Sequence, residues 1–325
     1  MPLIALSYSE FEDDPRHWRI ESTDFRSINL LVGKNATGKT RVLNVVRSLA
    51  KIISGELKTP FQSGKFVAEV ELSGKRFCYS IDSKQNKIVS ETLSVDGAIR
   101  LKRDARGSGT AYFASENRDI PFQIDPGAIA IQNKNDKLQH PFIHELAEWA
   151  SGVELYRFGS DFGKSTLIRD PMVDASGSGE RLPKIDVDDV VRSYIDAYQR
   201  YGSEFDAAVI RDMAKLGYDL KEVGAEPLTN LGPGLPTTLL GLVTVESELD
   251  DLRNPQVHMS QGMFRALALI IHLNLATFSR GKNLLLIDDI GEGLDYQRAT
   301  AIIDLIIATA ETNGMQIVMT SNDSS

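Results

Sequence analysis

An α/β fold is predicted by three features of this 325-residue sequence. An apolar segment, a glycine-rich turn and a helical pattern follow one another between residues 28 and 55. Short segments of alternating polarity over residues 65–100 are typical of antiparallel strands. A second apolar segment, residues 284–287, ends in two aspartates. Apolar strands that end in polar residues and alternate with helices indicate a sheet with a ligand site at its carboxyl edge.

The glycine-rich turn fits Gly-x-x-x-x-Gly-Lys-[Ser/Thr], the pattern of a phosphate-binding loop. Its residues are Gly33, Lys34, Asn35, Ala36, Thr37, Gly38, Lys39 and Thr40. Such a loop points successive backbone N–H groups at a phosphate chain, and the following helix adds the positive end of its dipole. We expect Lys39 to reach the β- and γ-phosphates of ATP and the Thr40 hydroxyl to coordinate Mg²⁺. Arg41, the next residue, is included in the expected nucleotide-binding set.

Both flanks of this loop suit the assignment. Residues 28–32 are short and apolar, as a buried strand is. After the loop, apolar residues recur at helical spacing up to Gly55, a natural helix C-cap. The alternative is an ordinary strand-to-helix turn with a surface lysine, and the two flanks disfavour it.

Composition limits the classes of function. The chain is 42% hydrophobic and 25% charged, with a formal net charge of −9, so contact with nucleic acid would need a local basic patch. Cys78 is the only cysteine, which excludes an internal disulfide and a cysteine-based zinc cluster. We find neither a signal peptide nor a transmembrane pattern, and expect a cytoplasmic protein without membrane contact.

The alternating segments 66–72, 76–81 and 87–95 predict an antiparallel meander that lies over the first helix, with Ser-Gly, Asp-Ser and Asp-Gly turns. Residues 112–114 and 129–131 are predicted as further strands. Between these strands lies a basic loop of Arg100, Lys102, Arg103 and Arg106. A solvated hairpin tip is its ordinary interpretation, and contact with the phosphates of DNA is the functional alternative.

From His140 the pattern becomes helical, with Phe142, Leu146 and Trp149 on one face. A second helical region is predicted over residues 187–213, and residues 224–238, rich in Gly and Pro, as a returning loop. We therefore divide the chain into three parts. Residues 1–135 carry the phosphate-binding loop and the meander, residues 136–250 form a helical lobe, and residues 251–325 complete the core.

The apolar segment 284–287 with Asp288 and Asp289 has the form of a Walker B strand. An uninterrupted apolar run suits a strand of a parallel sheet that is buried on both faces. We expect Asp288 to hold Mg²⁺ through water and Asp289 to position and polarise the attacking water. A buried strand followed by two loop acids is the alternative interpretation.

Ser260, Gln261 and Gly262 begin an apolar helix that is predicted to run to about Ser279. Ser260 has the side chain of an N-cap, which is compatible with any function. A Ser-x-Gly sequence at a helix start also forms an anion site from a hydroxyl, backbone N–H groups and the helix dipole.

These motifs, with Gly293-Leu294-Asp295, resemble those of the ABC-type ATPase heads of the SMC, RecF and OLD group. More narrowly, the chain resembles small SMC-like AAA ATPases of prokaryotic genome maintenance and antiphage defence. The resemblance covers mainly residues 26–55 and 256–323. It implies an α/β P-loop NTPase of ABC-ATPase type, with a mixed core sheet, an added antiparallel β layer and an inserted helical lobe.

The resemblance also implies that two copies enclose two ATP molecules. Ser260 and Gly262 of one copy would then reach the γ-phosphate bound by the other, and Asp295 would belong to the D-loop at the dimer interface. The Q-loop glutamine is assigned to Gln132, with Gln123 as the second candidate and a solvated loop glutamine as the alternative. Heads of this group continue a little beyond Ser325, and we expect no C-terminal TOPRIM nuclease of the OLD kind.

Three departures from the family pattern favour slow turnover. The signature around Ser260 is poorer in glycine than usual. Asp289 stands where a glutamate is usual and is one methylene shorter. Asn322 replaces the switch histidine and carries no proton at neutral pH. We expect a slow, dimeric or oligomeric ATPase that controls a partner in antiphage defence or DNA repair. The alternative is a nucleotide-gated scaffold with negligible turnover that sequesters a separate nuclease or toxin.

Overall fold

The computed structural model describes residues 2–58, 61–169, 188–228, 239–248, 252–279 and 284–322. The strands are β1 (Leu3–Glu10), β2 (Trp18–Asp24), β3 (Ile28–Gly33), β4 (Ser63–Leu72), β5 (Lys75–Lys84), β6 (Lys87–Val95), β7 (Ala98–Arg103), β8 (Ser108–Phe113), β9 (Arg118–Gln123), β10 (Val153–Arg157), β11 (Ile168–Arg169), β12 (Leu220–Pro227), β13 (Leu239–Glu246), β14 (Arg253–Pro255), β15 (Leu284–Asp288) and β16 (Gln316–Asn322). The helices are α1 (Lys39–Ser54), α2 (Ala130–Asn133), α3 (Pro141–Ser151), α4 (Val190–Tyr201), α5 (Ser203–Lys215), α6 (Gln261–Phe278) and α7 (Tyr296–Asn313).

The first part of the chain forms an eight-stranded antiparallel sheet in the order β2-β1-β4-β5-β6-β7-β8-β9. Two-residue turns join β4 to β5, β5 to β6 and β6 to β7. Both residues of each turn have positive φ, as the type I′ turn that matches the strand twist requires. The predicted meander is confirmed, except that its middle turn is Gln85-Asn86 rather than Asp82-Ser83.

The central sheet is parallel, in the order β10-β15-β16-β3. Successive side chains of β15 point to opposite faces, and both faces are covered. Leu284 and Leu286 join the core formed with α1, α3 and the antiparallel sheet. Leu285 and Ile287 join the core formed with α6 and α7. The predicted doubly buried Walker B strand is therefore confirmed, and the carboxyl ends of β3, β15 and β16 meet at one edge.

The strand before the phosphate-binding loop is less buried than its apolar composition predicts. Within the described residues β3 pairs only with β16, so it lies at an edge of the central sheet. Leu30 is 51% exposed and Val32 is 66% exposed. The prediction of a strand is confirmed, but the prediction that it is buried is wrong for this face.

Gln316 joins the two large sheets. Its buried amide acts like a strand backbone: Oε1 accepts the N–H of Leu3 at 2.9 Å, and Nε2 donates to the Leu3 carbonyl at 2.7 Å. Nε2 also donates to the Arg26 carbonyl at 2.9 Å. A buried amide that is satisfied on all sides fixes register, because any shift would leave polar groups unpaired.

The second half contains more β-structure than its sequence predicts. The helical region predicted over residues 187–213 forms α4 and α5, separated at Gly202, where φ is 61°. β12, β13, β11 and β14 form a small antiparallel sheet beside them. Residues 224–227, predicted as a loop, belong to β12, and residues 229–238 lie outside the described ranges. Of the helices described, none has the length and apolarity that a membrane crossing requires.

The range predicted as a helical lobe also contains part of the core. α3 packs against α1, and β10 lies in the central sheet. The division into residues 1–135, 136–250 and 251–325 stays a prediction about folding units.

The prediction of a strand at residues 129–131 is wrong, because a buried carboxylate holds this segment as a helical turn. Glu91, fully buried in β6, accepts the N–H groups of Ala130 at 2.7 Å and of Ile131 at 2.9 Å. The Tyr79 hydroxyl donates to the same carboxylate at 3.1 Å. A carboxylate that receives two successive N–H groups caps the first turn of α2.

Arg103 corrects the prediction of an exposed basic loop. Arg100, Lys102 and Arg103 lie on β7, and strand alternation turns Arg103 away from the other two. Its buried guanidinium donates to the carbonyls of Ile88, Pro126 and Ala128 and lies close to Glu91. Arg103 is therefore not available to DNA.

We expect Glu91→Ala to lower the free energy of unfolding by about 3–5 kcal/mol, because it leaves the buried N–H groups of Ala130 and Ile131 and the Tyr79 hydroxyl without their acceptor. Urea unfolding followed by circular dichroism measures the loss. The matched control is Glu116→Ala, which removes an exposed pair with Arg118 and is expected to cost about 0–1 kcal/mol. Equal losses in the two variants would contradict a structural role for the buried carboxylate.

Candidate functional site

The phosphate-binding loop connects the end of β3 to the start of α1. Ala36 has φ of 65° and Gly38 has φ of 98°, so the loop curls through left-handed positions. The Lys39 ammonium lies inside this curl, where it donates to the carbonyls of Gly33 at 2.6 Å and Lys34 at 3.0 Å. The sequence motif therefore folds as a compact loop with its lysine directed inward.

Thr40 and Asp288 meet although 248 residues separate them. The Thr40 hydroxyl donates to Asp288 Oδ1 at 3.0 Å, at the carboxyl end of β15. A hydroxyl and a carboxylate are hard oxygen ligands, and Mg²⁺ in phosphate sites is held by one or two such groups together with water and phosphate oxygens. These two side chains fit a Mg²⁺ ion.

Asp289 lies directly after β15 in an unusual backbone conformation. Its φ is 54°, and its N–H donates to the Thr320 hydroxyl at 2.8 Å. Partial burial raises the pKa of the Asp289 carboxyl; the nearby charges of Asp288 and Glu292 raise it further, while Lys39 opposes them. The Asp289 carboxylate thus shares its surroundings with the Lys39 ammonium.

Asn322 also reaches this edge. It is the last residue of β16, and the pairing of β16 with β3 sets it opposite Gly33, the first residue of the phosphate-binding loop. The structure therefore brings together the loop residues 33–40, Asp288, Asp289 and Asn322.

Ser260 and Gly262 begin α6 as predicted. The Ser260 hydroxyl caps the helix by accepting the Met263 N–H at 3.1 Å. A Cβ on Gly262 would lie 2.7 Å from the Gly293 carbonyl oxygen and 3.1 Å from Leu294. Gly262 therefore has a packing reason within its own chain, since only glycine lets α6 approach the loop that leads to Asp295.

Asp295 caps α7 by accepting the Arg298 N–H at 2.9 Å. This hydrogen bond and the Arg298 guanidinium lower the pKa of its carboxyl. Through the contact of Gly262 with Gly293, the structure places the starts of α6 and α7 beside one another, and both Ser260 and Asp295 are exposed there.

Arg265 holds this arrangement and was not predicted. Its Nε donates to the Ser160 carbonyl at 2.9 Å, and its Nη2 to the Gly159 carbonyl at 2.5 Å. Its Nη1 donates to the Glu292 carbonyl at 3.0 Å. One guanidinium thus joins α6, the loop after β10 and the loop after β15. The only feature of the sequence that could have identified Arg265 is its position one helical turn beyond Gly262.

The Trp18 ring, with the Arg41 guanidinium stacked on it, forms a surface beside the loop. The Trp18 ring lies 3.7 Å from where a Cβ on Gly38 would be. The Arg41 guanidinium stacks 4.2 Å from the centre of that ring and pairs with Glu10. Arg41 lies at the loop as predicted, whereas Trp18 has no motif spacing that could have identified it.

The structure does not bring Gln132 to the site, which corrects its assignment as the Q-loop residue. The Gln132 amide donates to the carbonyls of Ile52 at 2.7 Å and Leu57 at 2.8 Å. These groups lie at the far end of α1, a 16-residue helix about 24 Å long that starts at Lys39. Gln123, the second candidate, bonds to Ser108 and to the Arg106 carbonyl in the antiparallel sheet. The positions of Gln132 and Gln123 are therefore set by hydrogen bonds to other segments, which the local sequence does not reveal.

A family model for AAA domains matches residues 28–323, and its description names the AbiEii toxin and a Type IV TA system. No curated protein sequence matches the chain. Among solved structures, the chain is similar to the Smc head domain of Pyrococcus furiosus, described with an extended coiled coil and bound to the C-terminal domain of ScpA. That match has 12% identity and a TM-score of 0.51, and covers 99% of this chain and 90% of that chain.

Two further structures match over similar lengths. The SMC head domain from Thermotoga maritima has 12% identity and a TM-score of 0.48, with 99% and 90% of the two chains covered. The recombination mediator protein RecF-ATP has 13% identity and a TM-score of 0.44, with 99% and 94% covered. The family match and the Pyrococcus head confirm the predicted fold, an α/β P-loop domain with the fold of an SMC head.

We expect Gly262→Ala to lower the free energy of unfolding by about 1–3 kcal/mol, because the new methyl group would press on the Gly293 carbonyl. Urea unfolding measures the change. Gly224→Ala is the matched control, since a Cβ there meets only the Glu226 side chain at 3.8 Å. A Gly262 variant as stable as the Gly224 variant would show that α6 and the loop before α7 do not pack as described.

Proposed function

The chain belongs to the AAA domain family that matches residues 28–323, and from this premise we propose that it binds ATP with Mg²⁺ and hydrolyses ATP to ADP and phosphate. One observation carries the proposal: the Thr40 hydroxyl and the Asp288 carboxylate, from opposite ends of the chain, meet at 3.0 Å beside Lys39. A generic strand-to-helix turn would not need an acidic strand end at this place.

Each residue has a role that follows from its position. The amides of the loop and the Lys39 ammonium bind the phosphate chain. Thr40 and Asp288 would hold Mg²⁺, which supplies positive charge to the β- and γ-phosphate oxygens. Asp289 orients the attacking water and accepts its hydrogen bond. Asn322, opposite Gly33, donates or accepts a hydrogen bond near the γ-phosphate.

We assign the nucleotide base to the Trp18 surface. The ring lies directly beside Gly38 and is already stacked with Arg41 on one side. Stacking of a base on an aromatic side chain is tolerant of base identity and contributes about 1–3 kcal/mol. Arg41, restrained by Glu10, then contacts the nucleotide from the first turn of α1.

Two copies of the chain complete the site in this proposal. Ser260 and Asp295 are exposed at the adjacent starts of α6 and α7, and Tyr296 next to Asp295 is 85% exposed. A helix N-terminus with a serine hydroxyl suits an anion. The γ-phosphate bound by the loop of one copy is the anion that the Ser260 and Gly262 segment of the other copy would contact.

The dimer would control a separate effector, a nuclease or a toxin, in antiphage defence or DNA repair. The family description names a toxin and a TA system, which supports a role in such a system. The Smc head of Pyrococcus furiosus was solved with a protein partner, ScpA, which supports the use of such a head as a docking unit. DNA contact would rest on Arg100, Lys102 and Arg106, because Arg103 is buried.

A nucleotide-gated scaffold with negligible turnover is the second candidate. Asp289 favours it, because its short side chain starts from a backbone held at φ of 54°, which limits how far the carboxylate reaches toward a water molecule.

We expect Lys39→Ala to weaken ATP binding by about 10- to 100-fold, because it removes charge-assisted hydrogen bonds worth about 1.5–3 kcal/mol, and to abolish hydrolysis. Calorimetric titration and phosphate release measure the two effects. Lys75→Ala, an exposed lysine in a hairpin of the antiparallel sheet, is the matched control. A purified Lys39 variant that hydrolyses ATP at the parental rate would refute the site.

Variants of Asp289 separate the two candidates. If the chain is an ATPase, we expect Asp289→Ala to lower kcat by about 10²–10⁴-fold and to accumulate an ATP-bound dimer in analytical ultracentrifugation. If it is a scaffold, the parent releases almost no phosphate and Asp289→Glu raises the rate, because the longer side chain reaches the water. If both the parent and the Asp289→Ala variant remain monomeric at saturating ATP, the proposal that two copies share the nucleotide site is contradicted.

A further inference from the structure

Thr320 contacts Asp288, Asp289 and Ile290 at the end of the Walker B strand, and none of the sequence motifs predicted these contacts. It lies in β16, between the Walker B strand β15 and the phosphate-loop strand β3, and is fully buried. Its backbone is opposite Leu31 in the pairing with β3, while its side chain reaches the other neighbour, β15. It therefore stands between the two strands that carry the site.

Three hydrogen bonds tie Thr320 to three consecutive residues. Its hydroxyl donates to Asp288 Oδ1 at 2.7 Å and accepts the Asp289 N–H at 2.8 Å. Its carbonyl accepts the Ile290 N–H at 2.9 Å. A hydroxyl has a single proton, so donation to Asp288 leaves its lone pairs to receive the amide of Asp289. The Thr320 hydroxyl thus acts as a donor to Asp288 and as an acceptor from Asp289.

The contact with Asp288 orients the carboxylate. Asp288 Oδ1 receives the Thr320 hydroxyl at 2.7 Å and the Thr40 hydroxyl at 3.0 Å. Two donors on one oxygen fix the rotation of the carboxyl group and leave Oδ2 free of both. Groups that hold a metal ligand in this way commonly set metal affinity, although they never touch the metal.

The contact with Asp289 holds its backbone. A non-glycine residue at φ of 54° is in a sparsely populated conformation that its surroundings must stabilise. Thr320 supplies two of the local restraints, since its hydroxyl receives the Asp289 N–H and its carbonyl receives the next N–H along the chain. A third is the Asp289 carbonyl, which accepts the Glu292 N–H at 3.2 Å. The direction of the Asp289 side chain follows from this backbone conformation.

We propose that Thr320 is a positioning residue that sets Asp288 for Mg²⁺ and Asp289 for the attacking water at the same time. The proposal rests on the proposed function of the site. The Thr320 hydroxyl thereby couples the position of the metal ion at Asp288 to the position of the water at Asp289. A threonine that only filled the core would need its methyl group and not its hydroxyl.

Thr320→Val tests the hydroxyl, because valine keeps the shape of the side chain and removes both of its hydrogen bonds. We expect the Mg²⁺ concentration for half-maximal ATP hydrolysis to rise about 10- to 100-fold and kcat to fall by a similar factor. ATP binding measured in EDTA is expected to change less than about 3-fold, since the phosphate loop is untouched. Thr320→Ser keeps the hydroxyl and is expected to retain both parental values within about 3-fold.

The matched control is Thr244→Val. Thr244 is also fully buried in a strand, and its hydroxyl has no hydrogen-bond partner among the described residues, so this variant is expected to keep the parental Mg²⁺ dependence and kcat. The inference is overturned if Thr320→Val retains both parental values, or if Thr320→Ser loses them as Thr320→Val does.

Failure of the proposed function gives a different result. If the parent binds ATP and releases no phosphate, the ATPase proposal fails. The role of Thr320 is then tested by measuring how Mg²⁺ changes the affinity for ATP. In that measurement Mg²⁺ strengthens ATP binding by the parent, Thr320→Ser and Thr244→Val, and does so at about 10- to 100-fold higher concentration for Thr320→Val. Equal Mg²⁺ dependence in all four proteins would overturn the inference.

Discussion

The parallel pairing of β16 with β15 on one side and β3 on the other is the constraint on which the site depends. It brings the end of the Walker B strand next to the strand that enters the phosphate-binding loop, and sets Asn322 opposite Gly33. Without this strand order, Thr40 and Asp288 would have no reason to meet across 248 residues. Burial of β15 between two hydrophobic cores holds the order, because a one-residue slip would exchange the side chains of both faces.

A second unit forms where the starts of α6 and α7 meet. Gly262 allows the close approach, and Arg265 secures it by donating to three carbonyl groups of two loops. Since a guanidinium has five N–H donors in a fixed plane, it fixes the relative position of the loops that it joins. The exposed residues Ser260 and Asp295 are therefore presented by a rigid scaffold, as the proposed interface with a second copy would require.

Three corrections, those to residues 129–131, Gln132 and Arg103, share one cause, which is a buried polar group with distant partners. Glu91 turns a segment of strand-like composition into the short helix α2 and thereby moves Gln132 to the far end of α1. Arg103 looks like one of four surface cations in the sequence. Strand alternation turns it inward, where its guanidinium donates to the distant carbonyls of Ile88, Pro126 and Ala128 and to that of the adjacent Asp104. Hydrophobic period and local motifs carry no information about such partners, because these lie between 15 and 80 residues away.

The chain by itself determined the phosphate-binding loop, the Walker B strand, the Ser260 cap of α6 and the antiparallel meander. Each of these depends on local physics: glycine φ, strand alternation, helix capping and the length of an apolar run. Only the tertiary structure decided that β3 lies at an edge of the central sheet as far as the chain is described, that Trp18 lies against Gly38, and that Thr320 holds both aspartates. These features arise from contacts between segments that are separated in the sequence, so no local pattern records them.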